Sequence, residues 1–263
     1  MSLSSRSRSL SDDEATDTRA GVHPGPHGDG VRNYYVASRG RMRPITDRLP
    51  KPLVELGGRT LLDHAIDRLA ASGVERVVVN LHYKPEMIAA HLAERRTPAI
   101  TLLHERELLE TGGGVLSALG SLGDVFYVVN ADVFWLDGKT PALLRLARAF
   151  DAERLDALLL VQRTATALGY EGRGDFILDP IGRVRRRQER EVAPHLFAGV
   201  QILHKRLFEG RSPGKFSLNV LYDRAIAAGR LAAIVHDGEW YHIGTPAGLA
   251  LAEARLTTHR IER

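Results

Sequence analysis

The chain has 263 residues, 44% of them hydrophobic and 26% charged, with 25 Gly, 12 Pro and no Cys, which is enough for one sizeable core or at most two small ones. The missing cysteine excludes disulfides, thiolate zinc sites and a cysteine nucleophile, so any metal must be held by oxygen or nitrogen; it also agrees with a reducing compartment. No apolar run approaches the roughly 18–20 residues of a membrane span, and the N-terminal MSLSSRSRSLSDDEATD lacks the apolar stretch of a secretory signal, so a cytoplasmic protein without membrane attachment is expected.

The formal charge of +4 is unevenly spread. In residues 1–30, three arginines (Arg6, Arg8, Arg19) face five acids (Asp12, Asp13, Glu14, Asp17, Asp29), a net of −2 that leaves +6 for residues 31–263. This first segment is Ser-rich, then reads HPGPHGDG, and has little to bury. It is expected to be a disordered tail, with residues 31–263 forming the folded domain and His23 and His27 lying in a linker rather than a metal tract. The densest basic stretch, Arg183 to Arg190, carries five Arg and one Glu. The turn signal Asp179-Pro180-Ile181-Gly182 before it makes it a hairpin strand with a solvated face. A nucleic-acid surface is not expected, since there is no recognition motif and no interleaved aromatic set.

In chain order, Leu61, Leu62, Ala65, Ile66 and Leu69 recur at helical spacing behind a Thr60/Asp63 cap and before Gly73, which predicts a helix. Val77–Val79 reads as a buried strand, Pro85 opens a further helix, and Ile100 to Leu103 is again a strand. Gly112-Gly113-Gly114 then leads into the helix VLSALGSL, followed by the apolar strand Val125 to Val129. The order βαβαβαβ predicts an α/β fold, a Rossmann-like and mostly parallel sheet covered by helices, with ligand groups at the carboxyl ends of the strands. Beyond it, residues 176–178, 184–187 and 196–203 suggest a small antiparallel addition of a size to hold a sugar, and helices are expected near 218–228 and 246–256.

Three clusters fall where such a sheet places a site. Arg41 and Lys51 lie ten apart in a proline-punctuated loop and suit phosphate oxygens, the one as a planar fork, the other as a point charge; the alternative is plain surface charge. Gly112, Gly113 and Gly114 would let a base or phosphate approach the backbone at a helix N-terminus, unless they form an ordinary loop. Asp132, after the apolar strand in Asn130-Ala131-Asp132-Val133, is placed to hold a divalent ion on phosphates, or else to cap a helix.

Together these residues resemble the sugar-1-phosphate nucleotidyltransferase family, whose signature R-x-x-P-x-T-x-x-x-P-K-P-L is matched throughout by Arg41 to Leu53. Within that family, LETGGG (109–114), GRGDF (172–176), FAG (197–199) and LFEG (207–210) are similar to segments of the uridylyltransferases that act on N-acetylmuramate 1-phosphate in bacterial cell-wall recycling. The mannose-1-phosphate guanylyltransferases share much of the first half. The resemblance implies the nucleotide-diphospho-sugar transferase fold and transfer of a nucleoside monophosphate from an NTP to a sugar 1-phosphate with release of pyrophosphate. It implies further that Gly40, Arg41 and Lys51 hold the triphosphate, Asn80 and Gly112 to Gly114 face the base, and Gly174 and Asp175 with the Phe197 to Gly199 turn line the sugar pocket. Asp132 would bind Mg²⁺. For Asp175, a hydrogen bond at a strand start is the alternative. The oligomeric state is not legible.

Two departures from the family pattern stand out. Where the family has W-x-D-x-G-T, the chain reads Trp240-Tyr241-His242-Ile243-Gly244-Thr245; a ligating His242 would shift preference from Mg²⁺ toward Mn²⁺, whereas a buried structural histidine would not. Where the family has A-A-G-x-G-x-R, the chain reads Tyr35-Val36-Ala37-Ser38-Arg39-Gly40-Arg41, so a Cβ fills space that glycine leaves for phosphate. That break suggests an inactive nucleotide- or sugar-phosphate-binding paralogue, or else that residues 1–40 reflect a shifted reading frame or a wrong start.

Overall fold

A computed structural model describes residues 33–37 and 42–261; the expected tail, the altered loop at Ser38 to Gly40 and Arg41 lie outside the described residues. The strands are β1 (Asn33–Ala37), β2 (Glu55–Leu56), β3 (Arg59–Thr60), β4 (Arg76–Leu81), β5 (Ala99–His104), β6 (Val125–Asn130), β7 (Val133–Leu136), β8 (Ala157–Arg163), β9 (Ala167–Leu168), β10 (Phe176–Leu178), β11 (Val184–Arg186), β12 (His195–His204), β13 (Leu231–Val235) and β14 (Glu239–His242). The helices are α1 (Ile45–Arg48), α2 (Leu61–Ala71), α3 (Pro85–Leu92), α4 (Glu110–Ala118), α5 (Ala142–Ala149), α6 (Asn219–Ala227) and α7 (Pro246–Ile261).

The expected helix behind Thr60 is α2. The Thr60 hydroxyl accepts the Asp63 N–H at 3.0 Å, a cap worth about 1 kcal/mol, and Leu61, Leu62, Ala65, Ile66 and Leu69 are the buried face. Strand β6 is apolar on both sides because both sides are covered: Phe126 and Val128 join one core cluster, Tyr127 and Val129 the other.

Strands β5, β4, β1 and β6 lie side by side and parallel, in that order. Strand β12 then runs antiparallel between β6 and β8, and β13 pairs parallel with β8. The sheet is thus parallel in its first half, as the alternation requires, and mixed in its second. β1 sits between β4 and β6, so the chain reverses its order there and opens a crevice at the strands' carboxyl ends. A second sheet, β7-β14-β9, stands over that end. A third cluster, including Met42, Leu56, Phe134 and Tyr241, glues the described part of the signature, from Met42 onward, to it.

Two expectations need correction. The triple glycine does not precede its helix; Gly112, Gly113 and Gly114 lie inside α4. The Arg-rich hairpin β10–β11 is not a merely solvated face. Arg185 makes a two-pronged pair with Glu191 at 2.8 Å. Arg186 bonds Asp223 and the Asn219 carbonyl and lies over the Phe176 ring. Arg187 donates to the carbonyls of Gly174, Gln188, Glu189 and Glu191. Much of the chain's positive excess is therefore spent on bracing a hairpin. Among the described residues, no helix is long and apolar enough to cross a membrane.

Candidate active site

Asp132 lies in the tight turn that joins β6 to β7. No helix starts there, so the capping alternative falls. Its carboxylate meets Lys51, the first residue of a short 3-10 turn, at 3.1 Å from Nζ to Oδ2. The Lys51 side chain is only 4% exposed and that of Asp132 is 22% exposed. An ammonium taken this far out of water requires an anion beside it, and Asp132 is that anion.

His242 arrives at the same place through strand register. In the antiparallel β14–β7 pair, His242 lies opposite Val133, the neighbour of Asp132. Its ring stacks on Trp240 and meets the edge of Tyr170. A Cβ on Gly244 would coincide with the His242 ring nitrogen, so glycine at that position gives the imidazole its room. Burial, and secondarily the Lys51 cation, push the His242 pKa below its ordinary value, against the pull of Asp132. The imidazole is thereby kept neutral, the form with a lone pair to offer a metal. Among the described residues, no cluster of three or more His, Asp or Glu side chains forms a complete metal cage. A two-residue site of Asp132 and His242 still fits a Mg²⁺- or Mn²⁺-type ion that takes its remaining ligands from substrate oxygens.

At the end of β4, the buried Asn80 donates from Nδ2 to Glu105 Oε1, and its Oδ1 has no partner among the described residues. Glu105 in turn accepts the Leu109 N–H at 3.5 Å, tying this corner to the start of α4. The backbone N–H groups of Gly112 and Gly113 both donate to the Phe216 carbonyl, at 3.0 and 3.2 Å. They are therefore not free for phosphate. A Cβ on Gly112 would collide with the edge of the Phe216 ring, and one on Gly113 with the Gly214 carbonyl. These glycines admit the 214–216 loop.

The residues expected on the sugar side form a braced unit. Asp175 accepts the Phe197 N–H through Oδ2 at 2.8 Å, and its own N–H donates to the His195 carbonyl at 2.7 Å, which is the strand-start role weighed for it. Gly199 has φ +78, at the irregularity of β12, and a Cβ there would press Val133 at 2.8 Å and stand 3.4 Å from the Asn130 Cβ. The FAG turn thus packs directly on the Asn130–Val133 turn that carries Asp132. Trp240 pins it from the other side, donating to the Ala198 carbonyl at 2.9 Å. The structure therefore brings Lys51, Asp132 and His242 together, with the Phe197–Gly199 turn against them. Trp240, Tyr170, Glu105 and Phe216 were not singled out from the sequence. Only the aromatic residues' closeness to the W-x-H-x-G-T and GRGDF motifs pointed that way.

Residues 38–209 match the family model of the MobA-like NTP transferase domain. An N-acetylmuramate alpha-1-phosphate uridylyltransferase of Caulobacter vibrioides is 40% identical over 222 residues, covering 82% of this chain and 92% of its own length. The enzyme of the same name from Neisseria meningitidis is 31% identical over 225 residues, covering 83% and 94%. Among solved structures, HddC from Yersinia pseudotuberculosis superposes with a TM-score of 0.71 at 20% identity, covering 86% of this chain and 100% of that one. A UDP-glucose pyrophosphorylase in complex with UDP-glucose also gives 0.71, at 15% identity, covering 87% and 99%; at such identities the likeness shows the fold, that of the nucleotide-diphospho-sugar transferases. The chain belongs to the MobA-like NTP transferase family. Within it, the protein is a sugar-1-phosphate nucleotidyltransferase.

Proposed function

We propose that the enzyme transfers UMP from UTP to N-acetylmuramate 1-phosphate, releasing pyrophosphate, as a cytoplasmic step of cell-wall sugar recycling. The observation that carries this reading is the identity, over more than nine-tenths of their length, with two enzymes of that name. An oxygen of the sugar phosphate attacks the α-phosphorus, the new O–P bond forms, and the bond from the α-phosphorus to the bridging oxygen breaks as pyrophosphate leaves. The attacking oxygen is already ionised, so no strong general base is needed, and the task is positioning and charge neutralisation.

Asp132 and His242 would hold the divalent ion, whose charge, when bound, offsets that of the phosphate oxygens. Lys51, now paired with Asp132, would turn its ammonium to the α-phosphate, and Arg41, placed by its motif, to the triphosphate. Asn80, whose Oδ1 has no partner among the described residues, is the base-facing residue that this reading favours. Gly112 to Gly114 would shape that wall through the Phe216 loop. Gly174, Asp175, Phe197 and Gly199 would form the sugar pocket.

A panel of NTPs against several sugar 1-phosphates, with Mg²⁺ or Mn²⁺ and pyrophosphate release as readout, tests the reading. UTP with N-acetylmuramate 1-phosphate should be the preferred pair. Preference for GTP with mannose 1-phosphate would replace it with a guanylyltransferase, the activity named for a plant relative 28% identical over 218 residues. No release from any pair, with ligand binding retained, would make the chain a binding paralogue. Asp132→Asn keeps an oxygen for Lys51 but removes the charge; it should lower kcat at least about 100-fold, and unchanged turnover would remove Asp132 from the site.

A further inference from the structure

The loop that carries Gly174 is gripped from both sides. The Gly174 N–H donates to the Tyr170 hydroxyl oxygen at 3.1 Å, and the Gly174 carbonyl accepts from Arg187 Nε at 3.0 Å. Gly174 has φ +72, and a Cβ there would strike the Ala193 carbonyl, so the peptide has one orientation. A Cβ on Gly172 would likewise overlap the Tyr170 hydroxyl; the 172–174 backbone is wrapped around the phenol. The ring of Tyr170 reaches the other way, edge-on to His242 at 6.3 Å and to Trp240 at 6.5 Å between centroids. Tyr170 thus spans the distance between the Asp132/His242 corner and the Gly174–Asp175 loop.

Its hydroxyl is half used. It accepts from Gly174, and its own hydrogen has no acceptor among the described residues. A phenol can donate one hydrogen bond while accepting another. A phenol keeps its proton at neutral pH, so the group is a donor.

We infer that Tyr170 is a substrate-contacting residue whose O–H donates to the acceptor sugar 1-phosphate where that substrate bridges the phosphate corner and the sugar loop. The inference rests on the reading of the site given above. The donated bond is fixed before the substrate arrives, because Gly174 and Arg187 hold the phenol's surroundings in place. It bears on one substrate only.

The test is Tyr170→Phe in the full chain, which keeps the ring on His242 and Trp240 and removes the hydroxyl. Steady-state kinetics and calorimetric titration with N-acetylmuramate 1-phosphate should show KM and Kd for the sugar phosphate rising about tenfold or more, the size of one lost hydrogen bond to a charged oxygen. The KM for UTP should stay within about twofold. Arg187→Lys serves as the structural control: it loosens Gly174 without touching the phenol's free hydrogen. If Tyr170 acted only by bracing Gly174, both variants would shift the sugar-phosphate constants alike, and that result overturns the contact. Unchanged sugar-phosphate constants in Tyr170→Phe, or equal shifts for both substrates, overturn it as well. A wild-type chain that binds and turns over the sugar phosphate while Tyr170→Phe behaves identically removes Tyr170 alone. A wild-type chain that neither binds nor turns it over removes the functional reading too.

Discussion

His242 is the residue on which this chain departs from its family's pattern in a chemically consequential way, because it puts a nitrogen where the family has a carboxylate. The structure shows it held neutral by burial beside Asp132 and Lys51, the state that ligates. An N,O pair is softer than two carboxylates and prefers Mn²⁺ over Mg²⁺. His242→Asp should reverse that preference, raising Mg²⁺-supported relative to Mn²⁺-supported turnover by about tenfold; an unchanged ratio in the two metal titrations would show that His242 plays no part in metal choice. Asp175 makes the opposite case. Its type and motif suggested contact with a sugar; the structure adds that its Oδ2 accepts the Phe197 N–H, so it also braces the FAG turn.

At the scale of the element, helix α4 shows how a glycine run can be misread. Three consecutive glycines lower helix propensity by about 1 kcal/mol each relative to alanine, which is why they read as a loop. Tertiary contact overrides that cost: the Phe216 carbonyl caps the first turn, and the 214–216 loop occupies the space that side chains would take. Gly112→Ala should therefore destabilise the protein by about 1–3 kcal/mol, as overpacking does, read as a lower urea midpoint. Shortening the obstructing ring in the Gly112→Ala/Phe216→Leu double variant should restore part of the loss. Strictly additive losses would show that Phe216 is not what the new methyl meets. The hairpin β10–β11 was legible as a hairpin from Asp179-Pro180-Ile181-Gly182, but the work of Arg186 was not, since its partners Asp223 and Asn219 come from α6.

For the molecule as a whole, several histidines are held below their ordinary pKa, chiefly by burial. His64, whose ring nitrogen meets the Leu56 carbonyl at 2.8 Å, and His236, which is 4% exposed, are two of them. Such a group binds fewer protons folded than unfolded below its ordinary value of 6.5. Its contribution to stability is complete above that pH and is lost as the pH falls from 6.5 toward the folded-state value. Asp63 and Asp156, lowered by their hydrogen-bond and arginine or histidine partners against the opposing effect of burial, hold their contribution down to about 3.8 and lose it only below. Thermal unfolding should thus show a first decline in Tm as the pH falls below about 6.5 and a second in stronger acid. His236→Gln, which keeps an N–H for the Leu136 carbonyl, should make the first decline shallower; an unaltered slope would mean that His236 titrates alike folded and unfolded.

What the sequence determined by itself was whatever is written in local period and local chemistry. The 3.6-residue spacing of Leu62, Ile66 and Leu69, the doubly buried apolar run of β6, and the Arg41–Leu53 signature sufficed for the parallel half of the sheet and for the family, and the motifs singled out Lys51 and Asp132 as separate candidates, whose pairing only the structure shows. What only the tertiary structure decided was which distant segments touch. The register of β14 on β7 puts His242 beside Asp132, the irregularity in β12 lays the FAG turn on Asn130 and Val133, and Tyr170 reaches both ends of the site. Strands β7, β8, β9, β13 and β14 escaped the sequence reading for the same reason. Their pairing joins residues up to about a hundred positions apart, as Trp135 and Trp240 do, and a long-range register is set by packing of the whole sheet, of which a short window of sequence holds no record.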